Sequence, residues 1–185
     1  MMAEKNTIKN LRELSFQEAI TFTADWLETV SAESLSEQTI LENLTELLSS
    51  RNGVRGFFVA YLTGDSPLAD QPPSIFFEAF QQTANDIREI LVKNVAMSTA
   101  MAIAHERNNN PDQQAGSQQV QRRSQAILRT LEAGSNGNLF LEERQALLTA
   151  LDTQTGEYEN FLQRWKYDAE QRQAMRAALV AIAAE

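Results

Sequence analysis

The sequence predicts an all-α fold, a compact bundle of about seven helices around one long central helix at about 74–107. Every long segment repeats apolar residues at helical spacing, the plainest example being Ile40, Leu41, Leu44, Leu47 and Leu48. Capping patterns precede several of these segments, and runs of Gly, Asn and Pro separate them. The length of 185 residues suits one domain, which we assign to 1–185.

Two capping boxes predict where the first helices begin. Ser15 is followed by Glu18, and Ser34 is followed by Glu37. In each pair the serine side chain can accept a backbone N–H, while the glutamate reaches back to the serine N–H. Residues 1–14, which precede both boxes, are interpreted as a leader or a short helix.

Glycine, asparagine and proline predict the next boundaries. Asn52-Gly53 is expected to end the second helix, because both residue types favour helix C-termini. The short apolar segment 54–62 is predicted to be helical, since the chain offers no second strand with which it could pair. A loop at 64–73 then leads into the long helix at 74–107.

The second half of the chain is predicted to contain three more helical stretches. The Asn/Gln-rich segment 108–116 is predicted to be a loop and is a candidate boundary between an N-terminal and a C-terminal helical lobe. Pro111 suits the start of the next helical segment, because a proline in the first turn loses no hydrogen bond. A fifth helix should run from about Asp112 or Ser117 to Ala133, and a sixth should cover about 139–153. The last helical stretch reaches the C-terminus, with a break near Asp168.

The charge distribution indicates which partners the chain can bind. Its net charge is −9, and residues 13–50 contain eight acids and no Lys or Arg. Phosphate backbones require clustered positive charge, so nucleic acid is not an expected partner. The acidic stretch is either a solvated helix surface or a docking face for a basic protein partner.

Composition also bears on the compartment and on the chemistry. The sequence contains no cysteine, which excludes thiolate metal sites and cysteine nucleophiles and fits a cytoplasmic protein. The most apolar window, 90–104, contains Lys93 and is too short for a membrane span, so we expect a soluble chain without membrane insertion. The segment between Gly53 and Gly56 does not match a phosphate-binding loop, and no cofactor is predicted.

Six aromatic residues lie within 24 positions and are the candidate lining of a ligand pocket: Phe57, Phe58, Tyr61, Phe76, Phe77 and Phe80. Such a cluster could enclose a small apolar ligand. The same cluster could form the core where two helices cross, because aromatic rings bury large areas.

The turn at 132–143 resembles the calcium loop of an EF-hand. Counted from Glu132, Asn136 takes the fifth position and Glu143 takes the twelfth, where a bidentate carboxylate belongs. The sequence departs from the EF-hand pattern at the first position, which is Glu rather than Asp, and at the third, which is a glycine. The resemblance implies candidate metal ligands at Asn136, Asn138 and Glu143.

A polar seam is expected near the end of the long helix. His105 is the only histidine, and its position favours a cation that stabilises the helix C-terminus over a catalytic group. Asn94 and Ser98 share its helix face. These three residues could register a dimer, line a pocket or face solvent.

The same helix offers a candidate self-association surface formed by Ala96, Met97, Ala100, Met101 and Ala104. The alanines recur every four residues and make a smooth ridge, while the methionines have adaptable side chains suited to contact surfaces. Either a second copy packs on this ridge, as in the common two-fold dimers, or the chain's own helices cover it.

These observations favour a non-enzymatic helical interaction protein, such as an adaptor, regulator or assembly factor, that binds a protein partner or a second copy of itself. The first alternative is a small apolar-ligand-binding protein that uses the aromatic cluster. The second is an enzyme with dispersed Asp/Glu chemistry, for which Glu142 with Glu143 and Glu157 with Glu159 are the neighbouring carboxylates. Acids in a first helical turn more simply complement the helix dipole, so no catalytic residue is predicted.

Overall fold

The computed structural model describes residues 10–183, which form nine α-helices and three short 3₁₀-helices without a strand. The prediction of an all-α bundle is confirmed. Of the predicted leader at 1–14, residues 1–9 lie outside the described part, and Leu11–Glu13 is a 3₁₀-helix capped by the Asn10 side chain. Within residues 10–183, no helix combines the length and the hydropathy needed to cross a bilayer.

The α-helices are, in chain order, α1 (Phe16–Ser31), α2 (Glu37–Leu47), α3 (Arg51–Thr63), α4 (Ser74–Gln82), α5 (Ala84–Arg107), α6 (Pro111–Glu132), α7 (Gly137–Thr153), α8 (Glu159–Arg164) and α9 (Ala169–Val180). The two further 3₁₀-helices, Pro67–Ala69 and Ala181–Ala183, follow α3 and α9.

The first predicted capping box is confirmed, and the second is wrong. At α1, Ser15 accepts the N–H of Glu18 at 3.3 Å, and Glu18 accepts the N–H of Ser15 at 2.8 Å. At α2, Ser36 rather than Ser34 is the cap and accepts the N–H of Thr39 at 3.2 Å. Ser34 lies in the turn between α1 and α2, whereas Ser36 has the extended backbone that an N-cap requires.

The predicted helix end at Asn52-Gly53 is wrong, because both residues lie in the first turn of α3. Ser50 caps this helix by accepting the N–H of Gly53 at 3.0 Å. The close approach of the preceding turn requires the glycine, since a Cβ there would lie 1.8 Å from the carbonyl oxygen of Leu47. The helical interpretation of 54–62 is confirmed, because α3 contains this segment.

The central helix is shorter than predicted, since the segment 74–107 breaks at Thr83. The Thr83 hydroxyl donates to the carbonyl of Ala79 at 2.8 Å, and the Thr83 backbone leaves the helical region at φ −105° and ψ 21°. Local bonds of this kind compete with regular helix continuation. The predicted central position holds for α5, which packs against α6, α7 and α9.

The predicted loop at 108–116 is wrong beyond residue 110. Pro111 is the first residue of α6, where a proline loses no hydrogen bond, and the Asn110 side chain caps the helix. The turn is therefore limited to residues 108–110, with Asn109 at a left-handed φ of 50°. Beyond this turn, α6 packs along α5.

One cluster of buried side chains contains residues from every α-helix, including Leu27, Leu44, Phe57, Phe80, Leu91, Leu128, Phe140, Leu162 and Leu179. The C-terminal helix α9 joins this core after the break predicted near Asp168. That break is confirmed, since Asp168 caps α9 by accepting the N–H of Gln171 at 2.9 Å.

Candidate binding surfaces

The six aromatic residues predicted to line a pocket lie in the interior between α3 and α4. Five of them are at most 1% exposed, and Phe77 is half-buried. Their rings pack against one another, with centroids 4.9 Å apart for Phe57 and Tyr61 and 6.4 Å apart for Tyr61 and Phe80. The structure brings the predicted residues together as part of the core.

Arg123 of α6 ties the segment after α3 to the centre of the bundle. Its Nε and Nη2 atoms donate to the two carboxylate oxygens of Asp70 at 2.8 and 2.7 Å. Its Nη1 atom donates to the carbonyls of Leu62 and Gly64 at 2.9 and 2.7 Å. The hydrogen bonds from Arg123 hold the pKa of the Asp70 carboxyl below its usual range. This cluster stabilises the loop that borders a cavity described below.

The predicted self-association ridge is largely covered by the chain's own helices. Ala96 and Ala100 are fully buried, and Gln171 of α9 donates to the Ala100 carbonyl at 3.1 Å. The expectation that these two alanines meet a second copy is corrected, because their small side chains lie inside the chain's own core. The half-buried or exposed members of the ridge are Met97, Met101 and Ala104.

The two methionines line a groove of about 370 Å³ between α5 and α6. Asn94, Ser98 and His105 line the same groove, so the predicted polar seam and the accessible part of the predicted ridge converge there. Met101 is 41% exposed. The Ser98 hydroxyl donates to carbonyls of its own helix, and His105 lies in the last turn of α5. We call this surface the α5–α6 groove.

The EF-hand-like loop joins α6 to α7, and arginines engage both of its terminal carboxylates. Glu132 accepts hydrogen bonds from Nε and Nη2 of Arg144 at 2.6 and 2.8 Å. Glu143 forms a salt bridge with Arg88 at 3.0 Å and accepts a hydrogen bond from the Tyr158 hydroxyl. A calcium ion at the first and twelfth positions would have to displace both arginines.

The contacts of the two asparagines in this loop do not orient their side chains toward a shared site. Asn136 donates from Nδ2 to the carbonyl of Gln81 at 2.7 Å, and Asn138 is exposed in the first turn of α7.

We therefore expect millimolar calcium to leave the melting temperature unchanged in a thermal denaturation assay. Binding to the native state alone would raise that temperature. A rise that a chelator reverses and Glu143→Ala abolishes would contradict the expectation.

The other carboxylates singled out in the sequence stay dispersed. Glu142 and Glu157 are exposed, and Glu159 accepts a hydrogen bond from Gln163 at 2.7 Å in its own helix. In the described part of the chain, no three His, Cys, Asp or Glu side chains assemble into a group that could hold a metal ion.

The acidic stretch predicted from the sequence lies on α1, α2 and the turn between them. Asp25, Glu28, Glu33 and Glu37 are exposed, and none of the four forms a salt bridge within residues 10–183. The salt bridges that the described residues form with one another join side chains between positions 70 and 176, for example Arg176 with Asp152. Within residues 10–183, no basic side chain therefore forms a salt bridge with these four carboxylates, which we call the acidic surface.

A cavity of about 670 Å³ opens at the C-terminal ends of α1 and α3, and we call it the α1–α3 pocket. Its apolar wall includes Leu27, Ala60 and Pro67, while Glu28 and Asp65 supply carboxylates. Its lining also includes Ser66, whose hydroxyl oxygen is buried without a hydrogen-bond partner in the described structure. Glu28 belongs to both the pocket and the acidic surface.

A family model described as "Uncharacterised conserved protein UCP020893" matches residues 15–182. The chain belongs to this family. No curated protein and no solved structure matches the chain. The matched residues run from the N-cap of α1 to Ile182 after α9, so the family match includes the α5–α6 groove, the acidic surface and the α1–α3 pocket.

Sequence reasoning missed the α1–α3 pocket, although part of its signal is visible in α1. Ala24, Leu27, Glu28 and Ser31 recur at the helical spacing of three and four, so they share one face. The stripe combines two small residues, one leucine and one carboxylate, and this is the part of the pocket lining that the sequence displays. The partner wall from α3 and the following loop could not be deduced from this spacing.

Proposed function

We propose that this chain is a non-enzymatic helical interaction protein, an adaptor, regulator or assembly factor that binds a basic protein partner through the acidic surface. The observation that carries the proposal is the exposure of Asp25, Glu28, Glu33 and Glu37 without a salt bridge in the described part of the chain. Unneutralised carboxylates attract a basic surface at long range and raise the rate of association. The net charge of −9 acts in the same direction.

The alternative functions have weaker support. The aromatic rings pack against one another, which favours a structural role over the binding of a small apolar ligand. The dispersed positions of the carboxylates give no support to Asp/Glu catalysis. The α5–α6 groove next to Met101 could contact a second copy of the chain, but its lining does not indicate which partner would bind. We place the interaction in the cytoplasm, a proposal that the absence of cysteine supports.

The acidic surface can be tested with a charge-neutralised variant that combines Asp25→Asn, Glu28→Gln, Glu33→Gln and Glu37→Gln. Wild-type protein and the variant would be used to capture partners from the source cells, with chemical crosslinking and quantitative mass spectrometry. We expect basic proteins whose crosslinks map to α1 and α2 to be recovered with the wild type. Their recovery with the variant should fall at least about tenfold, as several surface charges at once make a substantial difference to association.

A matched control removes the same number of exposed acids elsewhere, at Glu106, Asp112, Glu142 and Glu157. This control changes the net charge equally, so it should retain the captured partners. Equal losses in both variants would show that only the total charge matters. An unchanged set of captured proteins in the first variant would show that the acidic surface is merely solvated.

A further inference from the structure

The α1–α3 pocket combines an apolar wall with concentrated negative charge. We propose that it binds an aliphatic ammonium group, which is the side chain of a lysine of the basic partner. This inference rests on the proposed function and adds to it the chemical group that is recognised. Leu27, Ala60 and Pro67 form a wall along which a four-carbon stem can pack, as lysine stems do on other apolar surfaces.

Two carboxylates supply the charge that a lysine head group requires. Glu28 lies on α1 and Asp65 follows α3, and neither forms a salt bridge within residues 10–183. Among the residues that the structure describes, no Lys, Arg or His lines the pocket. Arg123 contacts this loop through the carbonyl of Gly64, and its guanidinium is also bonded to Asp70 and to the carbonyl of Leu62.

The backbone adds negative potential to the same place. Ala32 and Gly64, the residues that cap the C-termini of α1 and α3, both line the pocket. The C-terminal end of a helix carries partial negative charge and is stabilised by a cation. The last turns of α1 and α3 contain no basic residue of their own. A bound ammonium group would supply positive charge at the end of α1, whereas at the end of α3 the Arg123 guanidinium already donates to the carbonyls of Leu62 and Gly64.

The hydroxyl of Ser66 is a further point of recognition. Ser66 precedes the 3₁₀-helix at Pro67–Ala69, but its side chain does not cap that helix. Its oxygen is buried and has no hydrogen-bond partner in the described structure. A buried hydroxyl without a partner is unfavourable. Rotation of the Ser66 side chain toward the pocket would let an ammonium N–H donor satisfy its lone pairs.

The test uses Nα-acetyl-lysine N-methylamide as the probe and two-dimensional amide NMR of the full chain as the readout. We expect saturable shift changes concentrated at residues 24–32 and 60–67. The Nε-acetylated form of the probe keeps the stem and loses the charge, and it should bind at least about tenfold more weakly. Shift changes spread over the acidic surface, or equal responses to the two probes, would overturn the proposal.

Three variants locate the binding. Glu28→Gln combined with Asp65→Asn should weaken binding of the lysine probe by about tenfold, whereas Asp25→Asn combined with Glu33→Gln removes the same charge outside the pocket lining and should have little effect. Ala24→Leu, at an exposed position that lines the pocket, should block binding without a change in charge. Each variant is checked for a native amide spectrum. If the variant that combines Glu28→Gln with Asp65→Asn and the Ala24→Leu variant both still bind the lysine probe, the proposal is overturned.

The inference and the proposed function fail in different ways. If the wild-type pocket does not bind the lysine probe but partner capture still depends on the acidic surface, only the pocket assignment is wrong. If partner capture is insensitive to the four acidic substitutions, the proposed function is wrong whatever the probe does.

Discussion

Replacing Ala100 by glutamate is expected to unfold the protein or to destabilise it by at least about 3 kcal/mol. Ala100 lies in the middle of α5 with no exposed surface, and α9 contacts it through the Gln171 hydrogen bond to its carbonyl. A glutamate there would place an unpaired carboxylate in a space filled by neighbouring side chains. Urea unfolding followed by far-UV circular dichroism measures the change in the free energy of unfolding.

Ala126→Glu is a matched control for this prediction. Ala126 is an exposed residue of α6, so the same substitution should change stability by no more than about 0.5 kcal/mol. An Ala100→Glu protein that stays folded but changes from a dimer to a monomer in sedimentation would contradict the buried position. It would instead place Ala100 at an interface between two copies.

Replacing Arg144 by methionine is expected to destabilise the protein by about 3–5 kcal/mol. The side chains of Arg144 and Glu132 are only 6% and 13% exposed, and two hydrogen bonds join them. Arg144 also donates to the carbonyl of Leu179 at 3.3 Å, which ties α7 to the end of α9. Removing the arginine leaves the Glu132 carboxylate largely buried without its cation, and the chemical denaturation midpoint should fall accordingly.

A double variant separates the buried charge from the loss of packing. Arg144→Met combined with Glu132→Gln removes both charges, so it should recover a substantial part of the lost stability. If the double variant is as unstable as the sum of the two single variants, the two side chains do not interact energetically. A single Arg144→Met variant within about 1 kcal/mol of the wild type would show that the pair contributes little.

The Arg144 pair also shows how far the EF-hand resemblance extends. The loop has the spacing of a calcium loop in sequence. In the structure, however, Glu132 contacts Arg144, which directly follows the loop, and Glu143 contacts Arg88 of α5. Arg88 is 55 positions away from Glu143 along the chain, and no local sequence pattern predicts that contact. Spacing predicted which carboxylates are near the turn but not what they bind.

The sequence by itself determined the helical fold and several helix boundaries of this protein. The starts at Ser15 and Asp168 depend on hydrogen bonds between residues three positions apart, and Pro111 acts through its own fixed backbone. Local chemistry of this kind can be deduced from the sequence. The local pattern did not predict the break at Thr83, where the residue types allow either a continuous helix or a break.

Only the tertiary structure decided which helix faces are covered and which side chains meet. The alanine ridge around Ala100 is buried within the chain's own core, where Gln171 of α9 donates to the Ala100 carbonyl. Arg123 contacts Asp70 across 53 positions of sequence. The α1–α3 pocket exists because the C-terminal ends of two helices lie side by side. Helical periodicity shows that a face is apolar or small, but the identity of the surface that packs on it depends on the crossing of helices distant in the chain.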